Sequence, residues 1–252
     1  MKLAIKFGGS AIADKKRDII NRDVIESLTD DLISFYKMFN PQLVLVTGGG
    51  YAHNLVNQYR KGTLKDYGKI HDYVEKLRNT AMSPLIESGL VIDVYRTFEI
   101  YDHKKHKGLK KYLDDLWQST IGRRTFEQNH VWNSYGDIAK TPAEKEPFRI
   151  ISGDDLIIYM ARKIKADRIV FVIDKEGIYK DQDDPHSLIT KMHANQISEI
   201  KFDRIGDQTG GLEKKVEKSK EALKEGIKVY FVNKDNFHDA LYGKEVPTLL
   251  LP

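Results

Sequence analysis

The stretch that decides the fold lies near the start of the chain and reads Leu3-Ala4-Ile5-Lys6-Phe7-Gly8-Gly9-Ser10. Four apolar residues around a single lysine predict a short buried strand, and the glycine pair predicts a tight turn at its end. The pattern returns where residues 43–47 precede Gly48-Gly49-Gly50. The first part of the chain therefore contains two predicted strands that each end in a glycine turn.

Strands and helices alternate along the rest of the chain. Apolar runs predict strands, and amphipathic periodicity predicts the helices between them. The predicted strands are residues 3–7, 43–47, 91–95, 149–151, 168–173, 229–232 and 248–251, and the predicted helices are residues 22–39, 53–59, 71–88, 109–118, 156–164 and 214–225. Such alternation favours crossover connections and a sheet that is covered on both faces. We therefore expect an α/β fold, a three-layer αβα sandwich with a central, mostly parallel sheet.

The composition excludes several classes of protein. The chain has 252 residues, 40% of them hydrophobic, and 41 Lys and Arg against 37 Asp and Glu leave a net charge of +4. So small an excess gives no reason to expect a nucleic acid partner, and no apolar run approaches the ~20 residues that span a bilayer. The absence of cysteine excludes disulfides, thiolate zinc sites and cysteine nucleophiles. The first residues lack the apolar core of a signal peptide, so we expect a cytoplasmic protein with no membrane partner.

The two glycine turns suit an anionic ligand. In an open parallel sheet, ligands bind beyond the carboxyl ends of the strands, where glycines let backbone N–H groups approach an anion closely. A glycine pair after a strand is also an ordinary tight turn, so neither turn decides the matter alone. Neither matches the Walker A spacing or Gly-x-Gly-x-x-Gly, which disfavours the P-loop and Rossmann interpretations.

Three further motifs in the second half place polar residues at the ends of predicted elements. Ile151-Ser152-Gly153-Asp154-Asp155 precedes a helix, for which Ser152 or Asp154 also suits the N-cap position. Residues 172–179 form a strand that ends in an acidic turn, suited to a metal, a ribose or solvent alone. In Asp207-Gln208-Thr209-Gly210-Gly211-Leu212-Glu213-Lys214-Lys215 a glycine turn opens a helix whose first turns contain lysines. The helix dipole disfavours cations there unless an anion lies between the helix start and the ammonium groups, so this segment is a candidate anion site.

Taken in order, these motifs resemble those of the amino acid kinase family over essentially the whole chain. The matching segments are Lys6 to Ser10 with Asp14-Lys15, Tyr135-Gly136-Asp137, Ser152 to Asp155, Asp174 to Tyr179, and Asp207 to Lys214. The resemblance implies one kinase domain, residues 1–252, with an acceptor-binding half, residues 1–148, and a nucleotide-binding half, residues 149–252. It also implies transfer of the γ-phosphoryl group of ATP, with Mg²⁺, to a phosphate or carboxylate oxygen of a small molecule.

The resemblance further implies roles for particular residues. Lys6 and Lys214 would neutralise the transferring group and Asp154 would orient both lysines, with His53 as the fourth catalytic residue. The implied nucleotide contacts are Gly8, Gly9, Ser10, Lys15, Asp174, Gly177, Tyr179, Lys180, Gly210 and Gly211. The implied substrate contacts are Gly49, Gly50, Asn54, His71, Gly136, Ser152 and Gly153. The backbone N–H groups of Gly8, Gly9, Gly49 and Gly50 would face phosphates, and we expect no side-chain cage for a metal.

One position departs from the family pattern. The branch of the family that phosphorylates isopentenyl phosphate carries Gly-Gly-Gly-Ser-Phe-Gly-His, whose histidine contacts the acceptor, whereas this chain has Gly48-Gly49-Gly50-Tyr51-Ala52-His53-Asn54. His53 comes one residue early, and one residue on a helix is ~100° of rotation. Both His53 and Asn54 can donate a hydrogen bond to phosphate, but only histidine adds charge.

The motifs are most similar to that branch, which implies a phosphorylated small-molecule acceptor, isoprenoid biosynthesis through the mevalonate pathway, and a homodimer. Other acceptors known for the fold stay open, namely UMP, acetylglutamate, carbamate and a fosfomycin-like phosphonate. A nucleotide-binding regulator without catalytic activity also stays open. The lysine- and histidine-rich residues 102–111 are expected to form a solvated loop or a helix start.

Overall fold

The structure is a computed structural model and describes residues 1–59, 64–96, 109–118, 130–140, 148–181, 184–200 and 211–252. The strands are β1 (Lys2–Phe7), β2 (Gln42–Thr47), β3 (Ile92–Val94), β4 (Val131–Tyr135), β5 (Asp137–Lys140), β6 (Phe148–Ile151), β7 (Arg168–Val172), β8 (Lys191–His193), β9 (Lys228–Val232) and β10 (Thr248–Leu251). The α-helices are α1 (Gly9–Ile12), α2 (Arg22–Phe39), α3 (Ala52–Gln58), α4 (Leu64–Glu87), α5 (Leu109–Gln118), α6 (Gly153–Ile164), α7 (Gly211–Leu223) and α8 (Phe237–Tyr242).

Eight strands form the central sheet in the order β3-β4-β2-β1-β7-β9-β10-β8. Strands β1, β2, β3, β4, β7 and β9 are mutually parallel, while β10 runs antiparallel to β9 and parallel to β8. The predicted mostly parallel sheet is therefore confirmed, with one antiparallel switch near its edge. Strands β5 and β6 pair separately as an antiparallel hairpin that leads into α6.

Alternation along β1 explains the three layers. Leu3, Ile5 and Phe7 join the core under α2, α4 and α8, whereas Ala4 joins the core on the opposite face, under α5, α6 and α7. Successive strand residues point to opposite faces, so Lys6 shares the second face with Ala4. The αβα sandwich is confirmed, and it directs the Lys6 side chain toward the layer that contains α6 and α7.

Most predicted elements are present, and the sequence analysis missed β4. Asn133 and Ser134 interrupt the apolar pattern of this fully buried strand. Each side chain makes a hydrogen bond inside the sheet region: Asn133 Nδ2 donates to the Leu45 carbonyl at 2.9 Å and Ser134 Oγ donates to the Tyr95 carbonyl at 2.9 Å. The Asn133 Oδ1 atom, by contrast, has no hydrogen-bond partner among the described residues. The hydrogen bonds to the carbonyls allow polar residues in a buried strand, and periodicity does not detect them.

Residues 102–108 of the lysine- and histidine-rich segment lie outside the described residues, whereas residues 109–111 begin α5. Residues 141–147 also lie outside the described residues. The division of the domain into an acceptor-binding and a nucleotide-binding half stays a prediction. Among the described helices, none is both long and apolar enough to cross a membrane.

Candidate active site

The glycine turns after β1 and β2 lie against each other with no side chain between them. A Cβ atom added to Gly9 would lie 2.2 Å from the Gly50 nitrogen, and one added to Gly48 would lie 2.3 Å from the Gly9 nitrogen. Only glycine permits this approach of two backbones. Because β1 and β2 are adjacent parallel strands, the two turns form one continuous surface at the carboxyl edge of the sheet.

Backbone N–H groups of both turns are available to a ligand. Within the described residues, the N–H groups of Gly9, Gly49 and Gly50 donate to no protein acceptor. The expectation for Gly8 is corrected, because its N–H donates to the Val172 carbonyl at 2.9 Å and so extends the β1–β7 ladder. The Gly136 N–H is similarly engaged with the Thr47 carbonyl at 3.1 Å, so Gly136 offers a ligand no N–H donor. Of the four glycines predicted to face phosphates, three therefore keep an N–H group that is available to an anion: Gly9, Gly49 and Gly50.

Lys6 and Asp154 form a buried ion pair above these turns. The Lys6 side chain, 6% exposed, places Nζ 2.9 Å from Asp154 Oδ1. Gly153 makes room for it, since a Cβ there would lie 3.0 Å from Lys6 Cε. Ser152 is the N-cap of α6, and its Oγ accepts a hydrogen bond from the Asp154 N–H at 3.2 Å. Ser152 and Gly153 thus position Asp154 and Lys6.

A second lysine reaches the same carboxylate, and it is Lys215. Its Nζ lies 3.4 Å from Asp154 Oδ2 and donates to the Gly211 carbonyl at 2.8 Å. The expectation for Lys214 is corrected, because that residue is exposed while the Lys215 side chain is only 17% exposed. Adjacent helix positions differ by ~100° in direction, so Lys215 reaches Asp154 while its neighbour Lys214 is exposed to solvent.

The electrostatics of this cluster favour an anionic ligand. Burial alone would raise the pKa of Asp154, but Lys6 and Lys215 outweigh it and lower that pKa to about 2. Burial and repulsion from Lys6 lower the pKa of Lys215 to about 8, against partial stabilisation by Asp154. When both lysines are protonated, two ammonium groups share one carboxylate, so the cluster has one excess positive charge. An anionic group placed between the lysines would remove that excess.

His53 lies over the second glycine turn. Its Nε2 is 4.0 Å from the position of a Cβ on Gly49. His53 is partly open to solvent, but the protein atoms around it desolvate its ring. This desolvation lowers the pKa of His53, and repulsion from Lys6, Lys215 and Lys15 lowers it further. Lys15 therefore also lies near the cluster. These interactions bring His53 into the electrostatic environment of the lysine cluster, while both His53 and the next residue, Asn54, are exposed.

His71 is hydrogen-bonded to a buried carboxylate near the glycine turn after β2. Its Nδ1 lies 2.7 Å from Oδ2 of Asp137, whose side chain is fully buried and whose Oδ1 accepts from the Ile138 N–H at 2.8 Å. The hydrogen bond and the charge of Asp137 raise the pKa of His71. Asp137 lies two residues after the end of β4, which pairs with β2, so the pair of His71 and Asp137 lies at the same edge of the sheet as Gly49 and Gly50.

The predicted nucleotide contacts lie around the carboxyl end of β7. Ser10 Oγ donates to Asp174 Oδ1 at 2.9 Å and so links the first glycine turn to this region. Gly177 is packed against Thr248, since a Cβ there would lie 2.4 Å from Thr248 Oγ1. Tyr179 is half-buried and Lys180 is exposed, while Gly211 opens α7 and binds Lys215 through its carbonyl. Gly210 lies outside the described residues.

No group of three or more metal-ligating side chains occurs in the ranges that the structure describes. The carboxylate of Asp174 and the hydroxyl of Ser10 are oxygen ligands of the kind that Mg²⁺ prefers, 2.9 Å apart at the turn. They fit a magnesium ion that is bound chiefly through the phosphates of its nucleotide.

Two residues at the site were not predicted, Lys215 and Asp137. The signal for Lys215 was available, because it shares a helix face with Ser219 and Ala222, which are fully buried. Asp137 belongs to a motif that the sequence analysis used, but the residue reads as an ordinary strand-end acid until its partner His71 is known. Long-range pairing, 66 residues apart along the chain, is not visible in a local pattern.

The fold and site define a three-layer α/β protein that presents paired lysines and free backbone N–H groups to anionic ligands at the carboxyl edge of its sheet. The model of the amino acid kinase family matches residues 1–233. The chain belongs to the amino acid kinase family.

Similar proteins within the family share nearly the whole length of the chain. It is 28% identical to the isopentenyl phosphate kinase of Methanocaldococcus jannaschii, over 97% of this chain and 96% of that one. It is 29% identical to the isopentenyl phosphate kinase of Thermoplasma acidophilum, over 92% and 91% of the two chains. Among solved structures, an isopentenyl phosphate kinase in complex with its substrate matches with a TM-score of 0.76 at 22% identity, over 99% of this chain and all of the other.

Proposed function

We propose that the protein is an ATP-dependent kinase that transfers the γ-phosphoryl group to the phosphate of isopentenyl phosphate, giving isopentenyl diphosphate and ADP. The observation that carries this proposal is the Asp154 carboxylate shared by Lys6 and Lys215, which come from opposite ends of the chain. Lys6 lies at the end of β1, directly before the glycine turn in which the Gly9 N–H donates to no described acceptor. The similarity to isopentenyl phosphate kinases over nearly the full length supports the choice of acceptor.

The lysines do the electrostatic work of the reaction. Donor and acceptor phosphates are both anionic, so bringing them into line requires cations whose positions are fixed in advance. Asp154 holds the ammonium groups of Lys6 and Lys215 at fixed separation, and their excess charge meets the equatorial oxygens of the transferring group. Phosphoryl transfer needs no nucleophilic side chain, and the chain contains no cysteine.

The two sides of the site hold the two substrates. The N–H groups of Gly9 and the charge of Lys15 face the nucleotide phosphates, and Asp174, Gly177, Tyr179, Lys180 and Gly211 hold the nucleoside side. On the acceptor side, Gly49 and Gly50 donate N–H groups to the phosphate, and His53 donates from its ring. His71, held by Asp137, adds a further positive charge near the acceptor.

Mg²⁺ accompanies the ATP in this proposal and neutralises charge on the nucleotide phosphates. Asp174 and Ser10 are the residues that would hold it. A cytoplasmic location, a homodimer and a place in isoprenoid biosynthesis through the mevalonate pathway remain predictions from the family resemblance.

The proposal is tested by ADP release and product analysis with a panel of acceptors. We expect turnover with isopentenyl phosphate and Mg-ATP, and ³¹P NMR should show a new diphosphate. Turnover with UMP, acetylglutamate, carbamate or fosfomycin, and none with isopentenyl phosphate, would overturn the choice of acceptor. ATP binding without turnover on any acceptor would instead identify a nucleotide-binding regulator.

A further inference from the structure

A second ion pair joins α6 and α7 beside the catalytic cluster. Asp155 follows Asp154 in the first turn of α6, and its Oδ1 lies 2.6 Å from Lys218 Nζ. Lys218 follows Lys215 by three positions on α7, so both lysines project from the same side of that helix. Two consecutive acidic residues of α6, Asp154 and Asp155, therefore form ion pairs with two lysines that lie on one side of α7.

The two ion pairs between α6 and α7, Asp154–Lys215 and Asp155–Lys218, differ in their N···O distance and in their exposure. Asp154 Oδ1 is 2.9 Å from Lys6, but Oδ2 is 3.4 Å from Lys215, so the contact to α7 is the longer one. The pair of Asp155 and Lys218 is much shorter at 2.6 Å, although its side chains are 38% and 30% exposed. An ion pair this exposed adds little to stability. Its location, one helical turn from Lys215, gives it a different consequence.

We propose that Lys218 and Asp155 are positioning residues, which fix α7 against α6 so that the Lys215 ammonium group stays at the transferring phosphate. This inference rests on the proposed kinase function. Lys215 is bound by only one oxygen of Asp154 and by the Gly211 carbonyl of its own helix. The Gly211 contact moves with α7. Arg162 of α6 also pairs with Glu221 of α7 and with Glu225 just beyond it, but at the C-terminal ends of both helices. Among the described contacts, the Asp155–Lys218 pair is the polar tie between the two helices that lies nearest to the Lys215–Asp154 contact.

The energetic argument follows from the sensitivity of catalysis to geometry. Displacing a catalytic group by about 1 Å can cost up to about a hundredfold in rate, even when the mutated residue is remote from the reaction. Release of the Lys218 tie leaves Lys215 attracted by Asp154, which Lys6 already occupies. The ammonium group then samples positions farther from the transferring phosphate, and the rate of the chemical step falls while substrate binding is little changed.

The experiment compares Lys218→Met with a matched control on the same helix. Lys220 loses the same charge in Lys220→Met, and it pairs with Glu217 at 2.8 Å within α7, at similar exposure. We expect Lys218→Met to lower kcat about tenfold with KM for ATP and acceptor within about twofold of wild type, whereas Lys220→Met stays within about twofold in kcat. Lys218→Arg, which keeps the pair, should restore most of the rate.

A double-mutant cycle separates positioning from folding. Asp155→Asn should lower kcat by a similar factor, and the double variant Asp155→Asn with Lys218→Met should lose no more than either single variant. Thermal unfolding should change little in all of them, because the pair is exposed. Additive losses, or an equal loss in Lys220→Met, would overturn the inference. If wild type shows no turnover in the same assay, the proposed function fails first; if wild type is active and Lys218→Met is unaffected, only the positioning role fails.

Discussion

The glycine turns after β1 and β2 and the start of α7 both contribute to the candidate active site. The geometry of the turns depends on local sequence, whereas the direction of the side chains on α7 depends on how the helix packs. In the turns, backbone atoms of Gly9, Gly48 and Gly50 touch directly, so residue identity alone decides the geometry. At α7, the choice between Lys214 and Lys215 depends on the rotational position of the helix. The comparison shows that a short sequence motif is enough to predict a turn. Which side chains of a helix face the site can be predicted only when the packing of that helix is known.

The largest expected effect tests the α7 side of this comparison. Lys6→Met and Lys215→Met should each lower kcat by about 10³-fold, because each removes a cation from the transferring phosphate. Lys214→Met should change kcat by less than about threefold, since that side chain is exposed. Steady-state kinetics of the three variants, with circular dichroism to check folding, measure this. A greater loss in Lys214→Met than in Lys215→Met would contradict the assignment.

The second prediction tests the turns. A Cβ in Gly9→Ala would press on the Gly50 nitrogen, a backbone atom that moves only if the turn moves. We expect kcat/KM to fall about 10²-fold and stability to fall by about 1–3 kcal/mol. The matched control is Gly68→Ala within α4, where a Cβ would meet nothing within 4 Å. That change should stabilise the protein by about 0.5–1 kcal/mol with normal kinetics. Equal effects of both substitutions would show that turn contact is unimportant.

Features that depend on local sequence could be predicted, whereas features that depend on helix packing or on distant partners could not. Helix α2 matches its predicted bounds because its apolar stripe and its ends are local features. The paired turns were recognisable from glycines alone. Lys215 was assigned one residue too early, although its buried neighbours on the helix face, Ser219 and Ala222, indicate the correct residue. The Asp137–His71 pair and strand β4 were missed because both depend on partners distant in sequence.

The pH dependence of activity tests the charge state of Lys215 in α7. The pKa of Lys215 is lowered to about 8, and in the proposed mechanism the transferring phosphate requires the protonated lysine. We therefore expect kcat/KM, which reports the free enzyme, to fall above pH 8 and approach tenfold per pH unit. Bound phosphates favour the charged lysine, so the limb in kcat should lie at higher pH. Lys215→Arg should remove this limb from the profile; a limb that persists in the arginine variant would assign it to another group.

A smaller effect is expected at the glycine turn after β2, which we propose binds the acceptor phosphate. His53 lies over Gly49 among cations, so His53→Ala should raise KM for the acceptor about tenfold. Asn54→Ala, one residue farther along α3, should raise it less than about twofold. KM for ATP should stay near the wild-type value in both variants. If Asn54→Ala has the larger effect, the one-residue shift is absorbed by the preceding turn when substrate binds.

The smallest expected effect concerns stability at the pair of His71 and Asp137, which joins α4 to the start of β5. Asp137 raises the pKa of His71 above its ordinary 6.5. A raised histidine pKa contributes stability that is fully present below pH 6.5 and lost as pH rises through the folded pKa. His71→Gln can still donate a hydrogen bond to Asp137 but lacks the charge. It should therefore cost about 1 kcal/mol at pH 6 and less at pH 9, measured by urea unfolding. A cost that is the same at both pH values would mean that His71 acts at this contact through its hydrogen bond and not through its charge.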